Sequence, residues 1–315
     1  MNPQPIELIA PTSRSWAGMR RVLFQPFDIK KWFVLGFTAW LAQLLENSGS
    51  PGSANSNNSS SNQTNANEQF HELLDWIKAN IELVITVASI VAIMGLAITV
   101  ALIWVRSRGK LMFLDNVLYN RALVKQPWAQ YRELGNSLFR WNLVFGAVVL
   151  VGILIFGGAA GWFIFSQIQA NIWTGGSTLI VVGIGLVMFA VALVLAYISV
   201  LLEDFVVPVM YKHGLSTNDA WRKFLPIHRQ ALGWFILYAL WKLLLGLGVV
   251  VAIVLIGIAT CCIGFIPLII PYLGVIILLP VYVFFRFLGP EFLRQFGREN
   301  DLWHLDADVA DTPPS

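Results

Sequence analysis

Charge is scarce in this chain. Asp, Glu, Lys and Arg make up 12% of its 315 residues, about half of what a soluble domain carries. A chain of this length with so little charge cannot clothe a globule in polar surface, which excludes a soluble fold. The formal net charge is +3, too little for the basic face that phosphate neutralisation on nucleic acid requires. Cysteine is nearly absent too. Cys261 and Cys262 are adjacent, adjacent cysteines rarely bridge each other, and no further pair or CxxC offers a redox or zinc framework. They read as small apolar residues at a helix end. The histidines, His71, His213, His228 and His304, lack ligand spacing. The stretch "HELLD" has half of an HExxH motif, but Asp75 stands where the second histidine belongs. There is no Walker loop, no GxSxG elbow and no GxGxxG opening a helix. The expectation is a chain with no catalytic residues, no metal site and no cofactor.

Apolar residues are abundant, at 57%. A bilayer crossing takes about 20 of them in a helix. Six spans are predicted, at about 32–46, 83–105, 141–165, 179–202, 234–260 and 267–286. The first is short. The last two are one long run, divided at Gly264 and Pro267 in "TCCIGFIP", where such residues favour a turn. The polar lead before Trp32 is too long for a signal peptide's charged region, so the first run reads as a retained helix. Glycines inside the spans, Gly157 with Gly161, Gly183 with Gly185, and Gly246 with Gly248, predict close helix packing.

Lysine and arginine alternate between connections. Arg14, Arg20, Arg21, Lys30 and Lys31 precede the first span. Arg106, Arg108, Lys110, Arg121, Lys125, Arg132 and Arg140 follow the second. Lys212, Arg222, Lys223 and Arg229 follow the fourth, and Arg286, Arg294 and Arg298 lie near the end. The intervening connections hold Lys78 alone. By the positive-inside rule both termini are cytoplasmic. The first outer connection, 47–67, is an Asn/Ser/Gly tract expected to be disordered. Formal glycosylation acceptors occur there at Asn57, Asn58 and Asn62. The "EQFHELLDWIKAN" that follows predicts a short amphipathic helix. The single membrane domain is predicted over 1–298, with an acidic disordered tail at 299–315.

"WAQYRELGNSLFRW" at 128–141 is matched by "WRKFLPIHRQALGW" at 221–234. In the first, Trp128, Tyr131, Leu134, Leu138 and Trp141 share one helical face. In the second, Trp221, Phe224, Leu225 and Leu232 do, with Pro226 predicted to bend or restart the helix. A looser third copy has Trp16, Met19, Leu23 and Phe27 in phase. These stretches predict amphipathic helices lying in the cytoplasmic interface. The segments leaving the even-numbered spans also align: "FLDNVLY", "FVVPVMY" and "FLGPEFL". The predicted fold is therefore all-α, a polytopic membrane helix bundle of six transmembrane helices built from an internal repeat of two-helix units.

Together, "FQPFDIKKWFVLGFTAWLA", "RSRGKLMFLDNVLYNRA" and "EDFVVPVMYKHGLSTNDAWRKFLP" resemble an uncharacterised family of bacterial integral membrane proteins. That family is remotely similar to the membrane domain attached to some glycerophosphodiester phosphodiesterases. The resemblance covers most of the chain. It implies a six-helix bundle in the cell membrane and brings no catalytic residues.

Lys242 stands eight residues after Trp234, roughly 12 Å along the helix. Three readings fit it: snorkelling, an ion pair with Glu203 or Asp204, or contact with an anion or lipid phosphate. Trp128, Arg132, Arg140, Trp141, Trp221, Arg222, Lys223, Arg229 and Trp234 are candidates for headgroup contact. The functional expectation is a membrane protein of the inner cell membrane that organises lipid or a membrane partner, without nucleic acid. A transporter or channel for a small anionic or lipid-like substrate is the first alternative and a membrane-embedded enzyme the second. A deep polar cavity lined by Lys242 and open to one side would favour the transporter.

Overall fold

The computed structural model describes residues 6–44, 75–76, 78–170, 174–260 and 263–304. The expected disordered loop, His71, most of the short amphipathic helix and both cysteines lie outside them. Every regular element among the described residues is helical. Besides short 3-10 turns they are, in order, α1 (Ile9–Phe24), α2 (Ile29–Ala42), α3 (Ile81–Leu118), α4 (Lys125–Gln130), α5 (Arg132–Gln169), α6 (Gly175–Leu201), a π-helical turn (Leu202–Val206), α7 (Val207–His213), α8 (Thr217–Gln230), α9 (Leu232–Ala259), α10 (Ile266–Ile269), α11 (Pro271–Ile277) and α12 (Leu279–Leu293).

Four helices are long and apolar enough to cross a membrane: Ile81–Leu118, Arg132–Gln169, Gly175–His213 and Leu232–Ala259. The other two predicted spans are built differently. α2 has 14 residues, a rise of about 21 Å against a hydrocarbon core of about 30 Å. The run at 267–286 is not one helix. Ile270 is extended at φ −77°, ψ 113°, the conformation that a following proline imposes, and Pro271 starts a new helix. A second break falls at Leu278, ahead of Pro280. Phe265 folds back so closely on Gly257 that a Cβ there would lie 2.0 Å from its ring.

The tryptophan stretches also depart from expectation. The first is not a separate interfacial helix. It breaks at Tyr131, and from Arg132 the helix runs unbroken into the span. The second is a separate helix, α8, but Pro226 lies inside it and the break comes at Ala231. The two stretches thus fold differently, and in the third Met19 and Leu23 are buried while Trp16 and Phe27 are exposed. The basic segment 106–118 is not a loop either. It continues α3, because nothing in it breaks a helix. Gly109 faces α2 there, where a Cβ would stand 2.8 Å from the Ala42 nitrogen.

The buried core lies at the basic end of the long helices. All three aligned exit segments contribute: Phe113, Leu114 and Val117; Phe205, Val206 and Met210; Phe287, Leu288 and Phe292. Phe205 is ringed by Phe224, Phe235, Tyr238 and Phe292 at centroid distances of 4.9–5.9 Å. Toward the other end the long helices show large apolar side chains on all sides, such as Ile93, Leu154, Leu186 and Leu255. The glycines expected to pack helices together there meet nothing: a Cβ at Gly157, Gly161, Gly183, Gly185, Gly246 or Gly248 has open space. Residues 299–304, the start of the expected acidic tail, are among the described residues. Leu302 and Asp301 are buried, and Trp303 stacks on Phe287 with centroids 6.2 Å apart, because the apolar pair Leu302–Trp303 anchors the chain past its first acids.

Gly289 tests where the tight packing is. A Cβ there would lie 2.3 Å from the Asp204 carbonyl oxygen. Gly289→Ala should destabilise the purified protein by about 1–3 kcal/mol through overpacking, while Gly157→Ala should not lower its thermal midpoint. Equal midpoints for the two variants would contradict this account of the core.

Candidate functional site

The π-helical turn positions two neighbouring carboxylates. Pro208 has no N–H, and its ring would clash with the carbonyl four residues back, that of Asp204. The helix widens there, and the Val207 N–H reaches the Leu202 carbonyl instead. Such bulges are common at functional positions. Consecutive residues on a helix point about 100° apart, so Glu203 and Asp204 address different neighbours.

Glu203 faces α3. Arg106 and Lys110, one turn apart on that helix, both reach its Oε1; the Arg106 Nη2 lies at 3.3 Å. Asp204 faces α9. Its two oxygens accept from the Lys242 Nζ at 2.8 and 2.7 Å, and the Tyr238 hydroxyl, one turn earlier on α9, donates to Oδ2 at 2.8 Å. Lys242 is thus paired with Asp204, while Glu203 is held by α3. Arg286 on α12 donates to the Lys110 carbonyl at 2.8 Å and the Glu203 carbonyl at 3.5 Å. Its Nε is buried with no hydrogen-bond partner among the described residues. The cluster ties α3, the π turn, α9 and α12 into one unit.

Two cavities flank it. One of about 220 Å³ is lined by Lys110, Glu203, Asp204, Lys242 and Arg286 together with Gln43, Tyr282 and Phe285. The other, of about 450 Å³, is lined by Arg106, Lys110 and Glu203 with Trp141, Asn142 and Phe145. A cavity carrying lysine and arginine donors in a low-dielectric surrounding suits an oxyanion.

The predicted headgroup residues divide. Trp128 stands edge-on to Trp104 at 5.8 Å, with the Arg108 guanidinium over both rings at 4.2 and 5.3 Å. Trp141 and Trp221, one from each stretch, stack at 5.9 Å. These three rings are half-buried against protein, whereas Trp234, Arg132, Arg140, Arg222 and Arg229 are exposed and Lys223 is half-buried. Elsewhere Asp115, fully buried, accepts from Tyr131 at 2.8 Å, Tyr211 at 2.7 Å and the Arg121 Nη2 at 2.7 Å. Burial pushes the Tyr131 phenol up to about 12, so it stays protonated and able to donate. His228 is buried against Tyr197, 2.8 Å from its hydroxyl, and burial lowers its pKa. No group of three His, Cys, Asp or Glu side chains that could share a metal ion occurs among the described residues.

Sequence reasoning singled out Lys242, Glu203 and Asp204 but assigned Arg106, Lys110 and Arg286 to the general basic surplus. The available signal was spacing. Arg106 with Lys110, and Tyr238 with Lys242, are i, i+4 pairs, which share a helical face.

Lys242→Met should leave Asp204 buried with Tyr238 as its remaining side-chain donor and cost about 3–5 kcal/mol, the range for a broken buried pair. Removing both charges in Lys242→Met with Asp204→Asn should recover most of that loss. Thermal melts of the two variants that coincide would argue against a buried, energetically coupled pair.

Residues 11–293 match a family of unknown function (DUF7544). Comparison with curated proteins and with solved structures finds no match. With the match covering all but the two ends of the chain, the protein belongs to this family of unknown function.

Proposed function

We propose that the protein is a multi-pass protein of the cell membrane, without a catalytic centre, that organises anionic lipid or a membrane partner along its cytoplasmic interface. The observation that carries this reading is the uneven distribution of burial. The four long helices present apolar side chains all round over much of their length, a surface suited to lipid. The packed core and the exposed arginines occupy the basic end instead. By the positive-inside rule that end is cytoplasmic, which puts both termini inside.

In this reading α2 and the broken α10–α12 run complete six crossings. They support each other: Gly36 of α2 sits against Ile276 of α11, Trp40 meets Tyr272 at 6.3 Å, and the Tyr272 hydroxyl donates to the Phe33 carbonyl at 2.9 Å. The second reading, a transporter for a small anionic or lipid-like substrate, is favoured by the polar cavity beside Lys242 and Arg286. Lipid organisation stands first because the charged groups of that cavity are cross-linked to one another, which suits a rigid hub better than a moving gate.

Two experiments test the proposal. In a background without Cys261 and Cys262, a membrane-impermeant thiol reagent should label Ser56→Cys in intact cells and spare Asn218→Cys. Labelling of the second would reject cytoplasmic placement of the basic end. Replacing Arg222, Lys223 and Arg229 by glutamine should lower the anionic lipid retained by the purified protein by about tenfold or more, at about 1 kcal/mol for each basic residue near the surface. Unchanged retention would remove the interface reading and leave the transporter ahead.

A further inference from the structure

A third cavity with a polar lining lies away from the π turn, between α1 and the end of α12. Its volume is about 370 Å³, and its lining includes Arg14, Arg21, Asn120, Glu291, Arg294 and Trp303. Arg14 and Arg21 are seven residues apart, two turns on one face of α1. Arg21 makes no hydrogen bond or ion pair among the described residues. Arg294 is turned toward Asp301, its Nε 2.9 Å from Oδ2.

Glu291 is the unusual member. Its side chain is 9% exposed, yet its Oε2 is buried with no hydrogen-bond partner among the described residues. The nearest cations, the Nη1 atoms of Arg14 and Arg294, stand at 3.7 and 3.9 Å, beyond hydrogen-bond reach. Burial raises the pKa of this carboxyl against the pull of Arg294 and Arg14. A buried acceptor left unsatisfied costs free energy until a donor arrives. One cavity therefore offers guanidinium to an anion, and to a cationic donor a carboxyl oxygen held only by two long ion pairs.

We propose that this cavity takes a phospholipid headgroup that carries both a phosphate and a primary ammonium, as in an ethanolamine phospholipid. Arg14 and Arg21 receive the phosphate, and the ammonium donates to Glu291. Inorganic phosphate meets half of these requirements. A glycerol headgroup has the phosphate and hydroxyl donors but no positive charge for the carboxylate. The exposed Ile9, Trp16 and Phe24 of α1 give the helix the character of one lying at a bilayer surface, where the acyl chains stay in lipid. The inference rests on the membrane reading above but uses residues separate from Arg222, Lys223 and Arg229.

The test is lipid retention by the full chain, purified from vesicles holding equal amounts of phosphatidylethanolamine and phosphatidylglycerol. The wild type should retain the ethanolamine lipid in preference by about tenfold, the worth of one charge-assisted hydrogen bond. Glu291→Gln should bring that ratio near one with thermal stability kept. Arg21→Gln, at an exposed side chain, should lower retention of both lipids and covers the case in which the Glu291 variant fails to fold. Soluble phosphoethanolamine should displace the bound lipid, and inorganic phosphate at the same concentration should not. Equal retention of the two lipids by the wild type, an unchanged ratio in Glu291→Gln, or equal competition by inorganic phosphate overturns the proposal. Loss of the Arg222 belt effect with this preference intact would sink the interface reading and spare this one.

Discussion

Two carboxylates side by side on one widened helical turn organise the basic end of this protein. Glu203 and Asp204 sit where Pro208 denies the helix a regular hydrogen bond. One holds Arg106 and Lys110 of α3, the other Lys242 and Tyr238 of α9. Gly289 then lets α12 press its backbone against the Asp204 carbonyl, and Arg286 bonds to carbonyls of both α3 and the turn. Charges at such a position are costly to desolvate, and they persist because each meets a partner. The aromatic cluster about Phe205 continues the same contact toward the end of the chain.

The opposite ends of the long helices need no such device. In α3, α5, α6 and α9 the internal backbone bonds are made within the helix, which is what an apolar solvent demands. Their side chains are apolar all round, so no one face is marked for a neighbour. The result is a molecule whose packing, polarity and cavities all gather at one end. Both candidate sites follow from this: the cavity beside Lys242 lies within the tied cluster, and the cavity beside Glu291 lies where α1 and the folded-back Trp303 close over the end of α12.

Composition and hydropathy were enough to identify helices fit for a bilayer, because an apolar run of span length has few other stable fates. The four long helices were legible for that reason, and so was the importance of Lys242, since a lysine within an apolar run must find a partner or reach water. The ends of the helices were not legible. Arg106 to Leu118 reads as a basic connection, yet nothing in it stops a helix and the contact of Gly109 with α2 rewards continuing one. Pro226 reads as a break but sits inside α8, while the break falls at Ala231. Gly157 and Gly161 read as a packing seam and face open space, because a glycine permits close approach without supplying a neighbour.

What the sequence by itself determined was fitness for a bilayer: little charge, four runs long and apolar enough to cross one as helices, and basic residues concentrated on alternate connections. Those are properties of single segments, additive along the chain. The tertiary structure alone decided which carboxylate takes which cation, that Trp141 and Trp221 stack on each other, and that Glu291 keeps an oxygen without a hydrogen bond beside two arginines. Each of these depends on where a second segment, distant in sequence, arrives in space, and electrostatic and hydrogen-bond energies turn on fractions of an ångström that no one-dimensional pattern carries.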